Sequence, residues 1–415
     1  MGTLSEESPR TAAGTRVAIL YPIDPAGHAP GGIASFIRGM LKWAPPDIAY
    51  TLIGATNDPK ARPLGSEVTV RLGCREITCV PIVTIDPTGS RKRLPLTLRY
   101  IWALSNYARA RRLRDFDVLD FHRVEPVSLF VHDRRPKNVF MHQDMAVLRN
   151  PISDSRWWYA PRLYEAMERK LLTHVERIFC VRQTAVQRYA SIYPAFAERF
   201  VFTPTWMDAE TFVPAEALYE SRDTLRAAVL AELGIPGGAR LLISVGRLDL
   251  QKDPLLLIDA FRIALRRAPD LHLLIVGDGI LRREITAVCS SVDLRGKVSI
   301  LGARPAEEIA QFLRASELFV MSSAYEGMPI AVLEALATGT PVVTTEVGEV
   351  RRVVHDGHNG YVVPSRTAAA LASAIWRALD NMDALRGAPC TSAVEPFRPE
   401  RVLPRIYDNY RRETG

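Results

Sequence analysis

The stretch ELFVMSSAYEGMPIAVLEALATGTPVVTT, residues 317–345, decides the fold class. It begins with an apolar run that ends at Ser323, passes through a short loop, and continues from Pro329 as a helical segment that closes at Gly339. A second β-branched run follows at 341–345. Proline suits a first helical turn and glycine suits a helix end, so the order is strand, helix, strand. Apolar strands separated by helices are typical of a parallel sheet covered on both faces.

The same alternation of strand and helix continues on both sides of this stretch. In the C-terminal half we predict further strands at 239–246, 271–279, 297–302 and 360–364, with helices at 253–268, 280–292, 305–316 and 367–381. The N-terminal half repeats the pattern less clearly, with strands at 15–23, 50–55, 76–83, 118–122, 138–142 and 177–182 and helices at 33–43, 94–114, 156–173 and 183–191. The fold class is therefore α/β, with doubly wound sheets.

Weak periodicity and two prolines between residues 202 and 223 favour an interdomain linker. We predict a flexible tail at 1–14, a first Rossmann-like domain at 15–203, a linker and second Rossmann-like domain at 204–390, and a C-terminal helix at 391–415. Two such domains in series place a ligand cleft between the carboxyl ends of their strands.

Composition and charge restrict the classes of protein that fit. Of 415 residues, 47% are hydrophobic and 24% are charged, which is typical of a globular chain. No apolar run is long enough to span a membrane, and the polar N-terminus lacks the apolar segment of a signal peptide, so we expect a cytoplasmic protein. The net charge of +7 favours an anionic partner. The five cysteines are odd in number and have no CxxC spacing, which predicts reduced thiols and no metal cluster.

The loop before the predicted helix at 329–339 carries the most informative polar side chains. Glu326 lies on that loop, and Glu334 follows about two helical turns later on a similar side. Gly327 allows a ligand to approach the backbone closely. The free N–H groups of a helix start suit phosphate or sugar oxygens, and carboxylates accept hydrogen bonds from sugar hydroxyls. Solvated glutamates on a surface helix are the alternative interpretation.

Six segments together resemble retaining glycosyltransferases of family 4. They occur in the family's order: the loop ending at Gly31 and Gly32, PTWMDAETFVP (204–214), SVGRLDLQKDP (244–254), IVGDG (275–279), SSAYEGMPIAVLEALATGTPVVTT (322–345) and DGHNGYVV (356–363). The fifth segment is similar to the family signature EGxPxxxLEAxAxGxPVVxT with its paired glutamates. One such motif alone is a weak signal, whereas six ordered motifs in strand and helix context are specific.

This resemblance implies a GT-B fold, in which two Rossmann-like domains face each other across a cleft and the last helix crosses back to the first domain. It also implies an acceptor-binding N-terminal domain and a C-terminal domain that binds a nucleoside diphosphate sugar. The implied donor-binding residues are Gly32, Arg247, Lys252, Gly327, Met328, Pro329, Leu333 and Glu334, and the implied catalytic residues are Glu326, Arg247, Lys252 and His142. Arg247 and Lys252 would clamp the donor diphosphate. Because two cations neutralise a dianion, we expect neither a metal nor another cofactor.

Two histidines and five departures from the family pattern complete the site. His142 follows a predicted strand, and the resemblance places it near the transferred sugar; a histidine bonded to backbone is the alternative. His122 occupies a second strand end. The departures are Thr205, Trp206, Asp253, Glu349 and Arg352, and they leave the shape of the donor pocket and the identity of the donor open.

The predicted activity is that of a retaining hexosyltransferase. It would move a hexose from a nucleoside diphosphate sugar to a hydroxyl of a glycan, a lipid-linked sugar or a small molecule. A catalytically inactive scaffold that binds a nucleotide-sugar is the alternative, although Glu326, Glu334, Arg247 and Lys252 are all present. A dehydrogenase on the same kind of sheet would need GxGxxG after the first strand, and that motif is absent.

Residues 91–114 form a basic amphipathic stretch. They include eight basic residues, no acidic residue, and interleaved Leu, Tyr and Trp side chains. This pattern suits an anionic membrane surface, which adds peripheral contact at the inner membrane face to the expected cytoplasmic location. A surface helix whose apolar side faces the core is the alternative. No nucleic-acid recognition motif accompanies the charge, so we expect no nucleic-acid partner.

Overall fold

The N-terminal half forms an eight-stranded sheet. The computed structural model describes residues 14–27, 32–73, 75–85, 94–110, 112–142 and 156–414. The strands are β1 (Thr15–Leu20), β2 (Ile48–Thr56), β3 (Val68–Leu72), β4 (Arg75–Thr84), β5 (Val118–Phe121), β6 (Lys137–Met141), β7 (Arg177–Cys180) and β8 (Phe200–Phe202). Their order is β3-β4-β2-β1-β5-β6-β7-β8, and β3 is antiparallel to β4 whereas the other neighbours are parallel. The helices α1 (Gly32–Lys42), α2 (Leu96–Arg109), α3 (Pro161–Leu172) and α4 (Gln183–Ile192) contribute buried side chains to the core around it.

The C-terminal half forms a six-stranded parallel sheet. Its strands are β9 (Arg240–Val245), β10 (Leu271–Val276), β11 (Val298–Gly302), β12 (Leu318–Met321), β13 (Val342–Thr345) and β14 (Gly360–Val363). The accompanying helices are α5 (Arg222–Glu232), α6 (Pro254–Leu265), α7 (Arg282–Cys289), α8 (Ala306–Ala315), α9 (Ile330–Ala337), α10 (Ala368–Asp380), α11 (Met382–Leu385) and α12 (Ala388–Val394). Every residue of β10, β12 and β13 is buried, so helices cover both faces, as the continuous apolar runs predict.

The strand order places the ligand-binding edge of each sheet. The second sheet runs β11-β10-β9-β12-β13-β14, which is the doubly wound order 3-2-1-4-5-6. The side on which successive strands are added changes between β9 and β12 in this sheet. In the first sheet it changes between β1 and β5. Ligands bind outside the carboxyl ends of the strands at such switch points.

Gly277, directly after β10, allows two strand ends to meet at this edge. Its φ is +140°, and a Cβ there would lie 1.8 Å from the carbonyl oxygen of Gly246 at the end of β9. No side chain fits at that distance, which gives the IVGDG segment a steric reason for its glycine. The close approach holds the turn against the loop that carries Arg247.

The chain ends on the N-terminal sheet, through α13 (Pro399–Val402) and α14 (Pro404–Thr414). The Tyr410 hydroxyl donates a hydrogen bond to the Asp120 carboxylate and accepts one from the Tyr50 hydroxyl at 3.1 Å. All three side chains are buried, and burial raises the pKa of Asp120 to about 8. A buried polar network therefore attaches the final helix to β5 and β2.

The prediction of one helix over 391–415 was wrong in detail. The segment consists of the end of α12, a 3₁₀ turn at Glu395–Phe397, α13 and α14. Prolines at 396, 399 and 404 lie at or near the start of each of the last three pieces. Proline lacks an N–H and collides with the preceding turn, so each one ends the helix before it.

Other elements differ from the sequence-based expectation. The helix predicted over 94–114 is shorter, at Leu96–Arg109. Strands β3 and β8 and helix α5 were not predicted. β3 is an exposed edge strand with few buried residues, β8 has three residues, and α5 begins inside the interval assigned to the linker. Among the described residues no helix is both long and apolar enough to cross a membrane.

Candidate active site

A cleft of about 990 Å³ lies between the two sheets. Its N-terminal wall includes Tyr21, Gly32, Arg38, His122, Arg123 and His142, and its C-terminal wall includes Gly246, Arg247, Lys252, Gly277, Glu326, Gly327 and Glu334. These residues follow the carboxyl ends of strands in both sheets. The structure therefore brings together in one cleft nearly all of the side chains that the sequence patterns single out.

Arg247 follows β9, and two neighbours hold its guanidinium group. Nη1 lies 2.6 Å from Oδ2 of Asp249, and Nη2 donates to Oε1 of Gln251 at 2.8 Å. Gln251 in turn donates from Nε2 to the backbone carbonyl of Tyr325 at 3.2 Å. Gln251 therefore joins the loop after β9 to the loop after β12. Its sequence position carries no distinguishing pattern, because the contact appears only once both strands are paired side by side.

Lys252 and Glu326 form an ion pair on the wall of the cleft. Lys252 Nζ lies 2.6 Å from Oε1 of Glu326, with side chains 22% and 9% exposed. The pair fixes the lysine and the loop glutamate in position relative to each other. Since Arg247 also has a carboxylate partner in Asp249, both cations of the predicted clamp are charge-balanced.

Asp253 departs from the family pattern but adopts a backbone conformation that suits the usual glycine. The residue has φ +47°, in the left-handed region that glycine favours and aspartate tolerates. Its Oδ1 accepts a hydrogen bond from the backbone N–H of Leu256 at 3.2 Å, and its Oδ2 pairs with Arg366. Asp253 therefore caps the N-terminus of α6 and holds the end of the Lys252 loop.

The loop before α9 packs against the opposite domain. A Cβ at Gly327 would lie 3.0 Å from both the carbonyl oxygen of His142 and a methyl group of Val181, so a larger residue would require these neighbours to shift. Met328 and Pro329 also line the cleft, and Met328 is largely buried. The segment thus forms the point where the two walls meet.

Glu334 and Leu333 have different environments although they are adjacent. Glu334 is half-buried and lines the cleft. Burial and the negative charge of Asp208 raise the pKa of Glu334 to about 7, and Lys252 partly opposes that increase. Leu333 is fully buried among core residues such as Leu336 and does not line the cleft. Leu333 faces the core because a step of one residue turns the helix about 100° from the cleft. Its donor-binding role stays a prediction.

His142 and His122 are in direct contact. His122 Nδ1 and His142 Nε2 are 2.9 Å apart, and the rings stack with centroids 5.2 Å apart. Phe36 and Phe140 pack against the pair. Burial lowers the pKa of His142 to about 3 and the pKa of His122 well below its usual value, so both are neutral near pH 7. Within the described part of the chain, the hydrogen-bond partner of the His142 side chain is another ring rather than a backbone group.

Gly32 begins α1 and lines the cleft. A Cβ at this position would meet no protein atom within 4 Å, so no contact within the described residues requires glycine. The resemblance implies that a ligand approaches the helix start at this glycine. Gly31 lies outside the described residues.

The departures Glu349 and Arg352 connect the two domains. Glu349 Oε1 accepts a hydrogen bond from the backbone N–H of Gln183 at 3.0 Å, at the start of α4. Arg352 pairs with Glu349 and lies 4.8 Å from the ring centre of Phe202. The backbone N–H of Glu349 also donates to the carbonyl of Gly327 at 2.9 Å. These two side chains therefore hold the domains together beside the donor loop.

Thr205 and Trp206 make a second set of interdomain contacts. Thr205 Oγ1 donates to the carbonyl of Met328 at 3.3 Å. Trp206 is buried against Phe36, with ring centroids 4.0 Å apart, and its indole fills the space beside Gly39. Thr205 thus supports the loop after β12 and also lines the cleft, whereas Trp206 packs on α1.

Comparison with known proteins agrees with this architecture. Residues 226–387 match the protein family described as glycosyl transferases group 1. A D-inositol 3-phosphate glycosyltransferase from Nocardia farcinica is 29% identical over 229 residues, which cover 54% of this chain and 49% of the relative. A UDP-Gal:alpha-D-GlcNAc-diphosphoundecaprenol alpha-1,3-galactosyltransferase from Escherichia coli is 29% identical over 181 residues, covering 43% and 44%. The chain spans about half the length of the curated relatives it matches.

Solved structures are similar over nearly the whole chain. Sucrose-phosphate synthase from Thermosynechococcus elongatus has a TM-score of 0.74 at 18% identity, covering 96% of this chain and 98% of that one. HepE from Anabaena, in complex with UDP and glucose, has a TM-score of 0.71 at 17% identity, covering 95% and 99%. At these identities the likeness shows the fold.

The two doubly wound sheets facing across a cleft therefore define a GT-B fold. Within it, the residues that match the glycosyl transferases group 1 family, 226–387, contain Arg247, Lys252, Glu326 and Glu334. The fold class and the family resemblance predicted from the six segments are confirmed.

Proposed function

We propose that the protein is a retaining glycosyltransferase that moves a hexose from a nucleoside diphosphate sugar to an acceptor hydroxyl. The observation that carries the proposal is the convergence of Arg247, the Lys252–Glu326 pair and Glu334 on one wall of the interdomain cleft, opposite His142. This wall offers cations and a helix start to a diphosphate and carboxylates to sugar hydroxyls. The C-terminal half is the proposed donor-binding domain, and the N-terminal half is the proposed acceptor-binding domain.

The proposed chemistry relies on positioning and charge. As the glycosidic bond breaks, negative charge accumulates on the leaving diphosphate, and Arg247 and Lys252 stabilise it from fixed positions. Glu326, beside the transferred sugar, stabilises the positive charge that develops there. The neutral His142 contributes a hydrogen-bonding group without adding charge. In a retaining reaction the departing β-phosphate takes the acceptor proton on the same face, so no separate protein base is required.

The acceptor belongs to one of three classes. One relative is named for an inositol phosphate acceptor and another for a diphosphoundecaprenol-linked sugar. We accordingly propose a glycan, a lipid-linked sugar or a small molecule as the acceptor. Arg38 lines the N-terminal wall and favours an acceptor that carries negative charge, whereas the charge of Arg123 is balanced by Glu125.

Activity is expected to persist in excess EDTA. In the proposed reaction, the guanidinium group of Arg247 and the ammonium group of Lys252 balance the charge of the diphosphate, as a metal ion would otherwise do. Initial rates would be measured with and without chelator, and after addition of Mg²⁺ or Mn²⁺. Complete loss of activity in EDTA that either metal restores would contradict the metal-independent mechanism.

The two glutamates are expected to respond differently to substitution. Because the pKa of Glu334 is about 7, its ionised fraction rises between pH 6 and pH 8, and an ionised carboxylate is the stronger acceptor for ribose hydroxyls. The donor KM of the wild type should therefore fall as pH rises through 7, whereas Glu334→Gln should show a higher KM that is flat over this range. Glu326→Gln should mainly lower kcat, since its contacts strengthen in the transition state. The reverse pattern would exchange the two roles.

A thermal-shift screen tests donor binding directly. A ligand that binds only the folded state raises the melting temperature, and the increase grows with the logarithm of ligand concentration over Kd. We expect a nucleoside diphosphate sugar, and the matching nucleoside diphosphate, to raise the melting temperature of the wild type but much less that of Arg247→Ala. Equal shifts in both proteins would place the nucleotide outside this cleft, and the absence of any shift across the common donors would contradict the proposal.

A further inference from the structure

One side of α2 carries large apolar side chains that are exposed to solvent. Leu98 and Trp102 are 55% and 72% exposed, and Leu94, just before the helix, is 59% exposed. Leu98 and Trp102 are four residues apart within α2, so they share one side of the helix. The opposite side faces the core, since Tyr100 and Leu104 are buried and the Tyr100 hydroxyl donates to a backbone carbonyl of β2 at 2.6 Å. The exposed residues are therefore not the core side of the helix.

Positive charge accompanies these apolar side chains. The surrounding segment, residues 91–114, has eight basic residues and no acidic one. Arg109 lies two turns beyond Trp102 on the same side of the helix and is exposed, as are Arg112 and Arg114 just after the helix. A surface that is both apolar and cationic matches anionic headgroups above hydrocarbon, and tryptophan is the side chain most typical of that interface.

We propose that Leu94, Leu98 and Trp102, together with Arg109, Arg112 and Arg114, form a docking face for an anionic lipid bilayer. A second copy of the chain is a poor occupant because the same cations would face each other. A bilayer satisfies both parts of the surface at once: the arginines contact lipid phosphates, while the leucines and the tryptophan enter the interface.

The docking face lies beside the cleft. Leu96 and Thr97, in the first turn of α2, line the cleft itself. Helices α2 and α3 both pack against the 3₁₀ turn at Glu125–Phe130. Helix α3 exposes a further large apolar side chain, Leu163, which is 64% exposed. Docking therefore brings the N-terminal wall of the cleft to the headgroups, where an acceptor anchored in the bilayer can present its hydroxyl. This last consequence, an acceptor held by the membrane, rests on the proposed function; the docking itself does not.

Vesicle co-sedimentation of the full chain tests the docking face. The probes are vesicles of phosphatidylcholine alone and of phosphatidylcholine mixed with phosphatidylglycerol, without any donor. The variants are Leu98→Ser/Trp102→Ser and Arg109→Ser/Arg112→Ser/Arg114→Ser. A matched control, Ile280→Ser/Val292→Ser, removes two exposed apolar side chains from the other half of the chain, where they are 77% and 91% exposed. All of the substituted positions are exposed, so misfolding is a small risk. The melting temperature of each variant shows whether it is folded.

We expect the wild type to sediment with anionic vesicles, less so at high salt, and weakly with phosphatidylcholine alone. The apolar double variant should lose at least tenfold in partition coefficient, the arginine variant should lose its preference for anionic vesicles, and the control should behave as wild type. Absence of wild-type binding, or an equal loss in the control, would overturn the proposal. Concentration-dependent self-association that Leu98→Ser/Trp102→Ser abolishes would instead identify a second copy as the occupant. Donor thermal shifts should be unchanged in all three variants, so failure of docking and failure of donor binding remain separate results.

Discussion

Replacing Arg247 or Lys252 with alanine is expected to lower turnover by about 30- to 1000-fold, on the order of 2–4 kcal/mol of transition-state stabilisation. Each side chain is held at a fixed position on the wall of the cleft, Arg247 by Asp249 and Lys252 by Glu326, so each can meet charge on a leaving diphosphate without reorganising. The loss should appear mainly in kcat/KM for the donor, measured by release of nucleoside diphosphate.

Matched variants separate this effect from loss of charge in general. Arg240 lies at the opposite end of β9, where it pairs with Asp270, and Lys297 lies just before β11. Arg240→Ala and Lys297→Ala should therefore retain wild-type turnover. Since Arg247→Ala and Lys252→Ala leave buried carboxylates without their cations, the charge-conserving Arg247→Lys and Lys252→Arg are needed as well, and they should recover part of the activity. Normal turnover in both alanine variants would show that the cleft is not the site of the chemistry.

Leu333→Ala is expected to destabilise the protein by about 2–5 kcal/mol while leaving the donor KM unchanged. The side chain is fully buried in the core of the C-terminal half, and removing it leaves a cavity rather than a lost ligand contact. The melting temperature and the donor KM would be measured on the same preparation. Leu64→Ala, which truncates a leucine that is 50% exposed, serves as the control and should have little effect. An unchanged melting temperature with a raised KM would instead support the donor-binding role that the family resemblance implies.

The elements predicted most accurately from the sequence are the strands that consist of one continuous apolar run. Strands such as β10 and β12 are buried on both faces, so their residues are apolar except for His272 in β10. The edge strand β3 is different, because most of its residues are at least partly exposed and its partner is antiparallel. A short, mixed segment of this kind does not differ from a loop in sequence alone.

The candidate site was predictable where it follows from strand order, and not where it depends on domain packing. Arg247 and Glu326 each follow a central strand, and neighbouring parallel strands bring such positions together. The contacts of Glu349 with Gln183 and of Gly327 with His142 join segments more than 160 residues apart across the two halves. No local periodicity encodes those contacts, because they depend on how two complete sheets face each other.

Product analysis by proton NMR, with a nucleoside diphosphate sugar identified by thermal shift and an acceptor hydroxyl, tests the central claim most directly. The wild type should release the nucleoside diphosphate and form a product whose new glycosidic bond has the same anomeric configuration as the donor, and Arg247→Ala should do so at least tenfold more slowly. A donor that binds without any release of nucleoside diphosphate would identify an inactive nucleotide-sugar-binding scaffold. A product of inverted configuration would contradict the retaining mechanism.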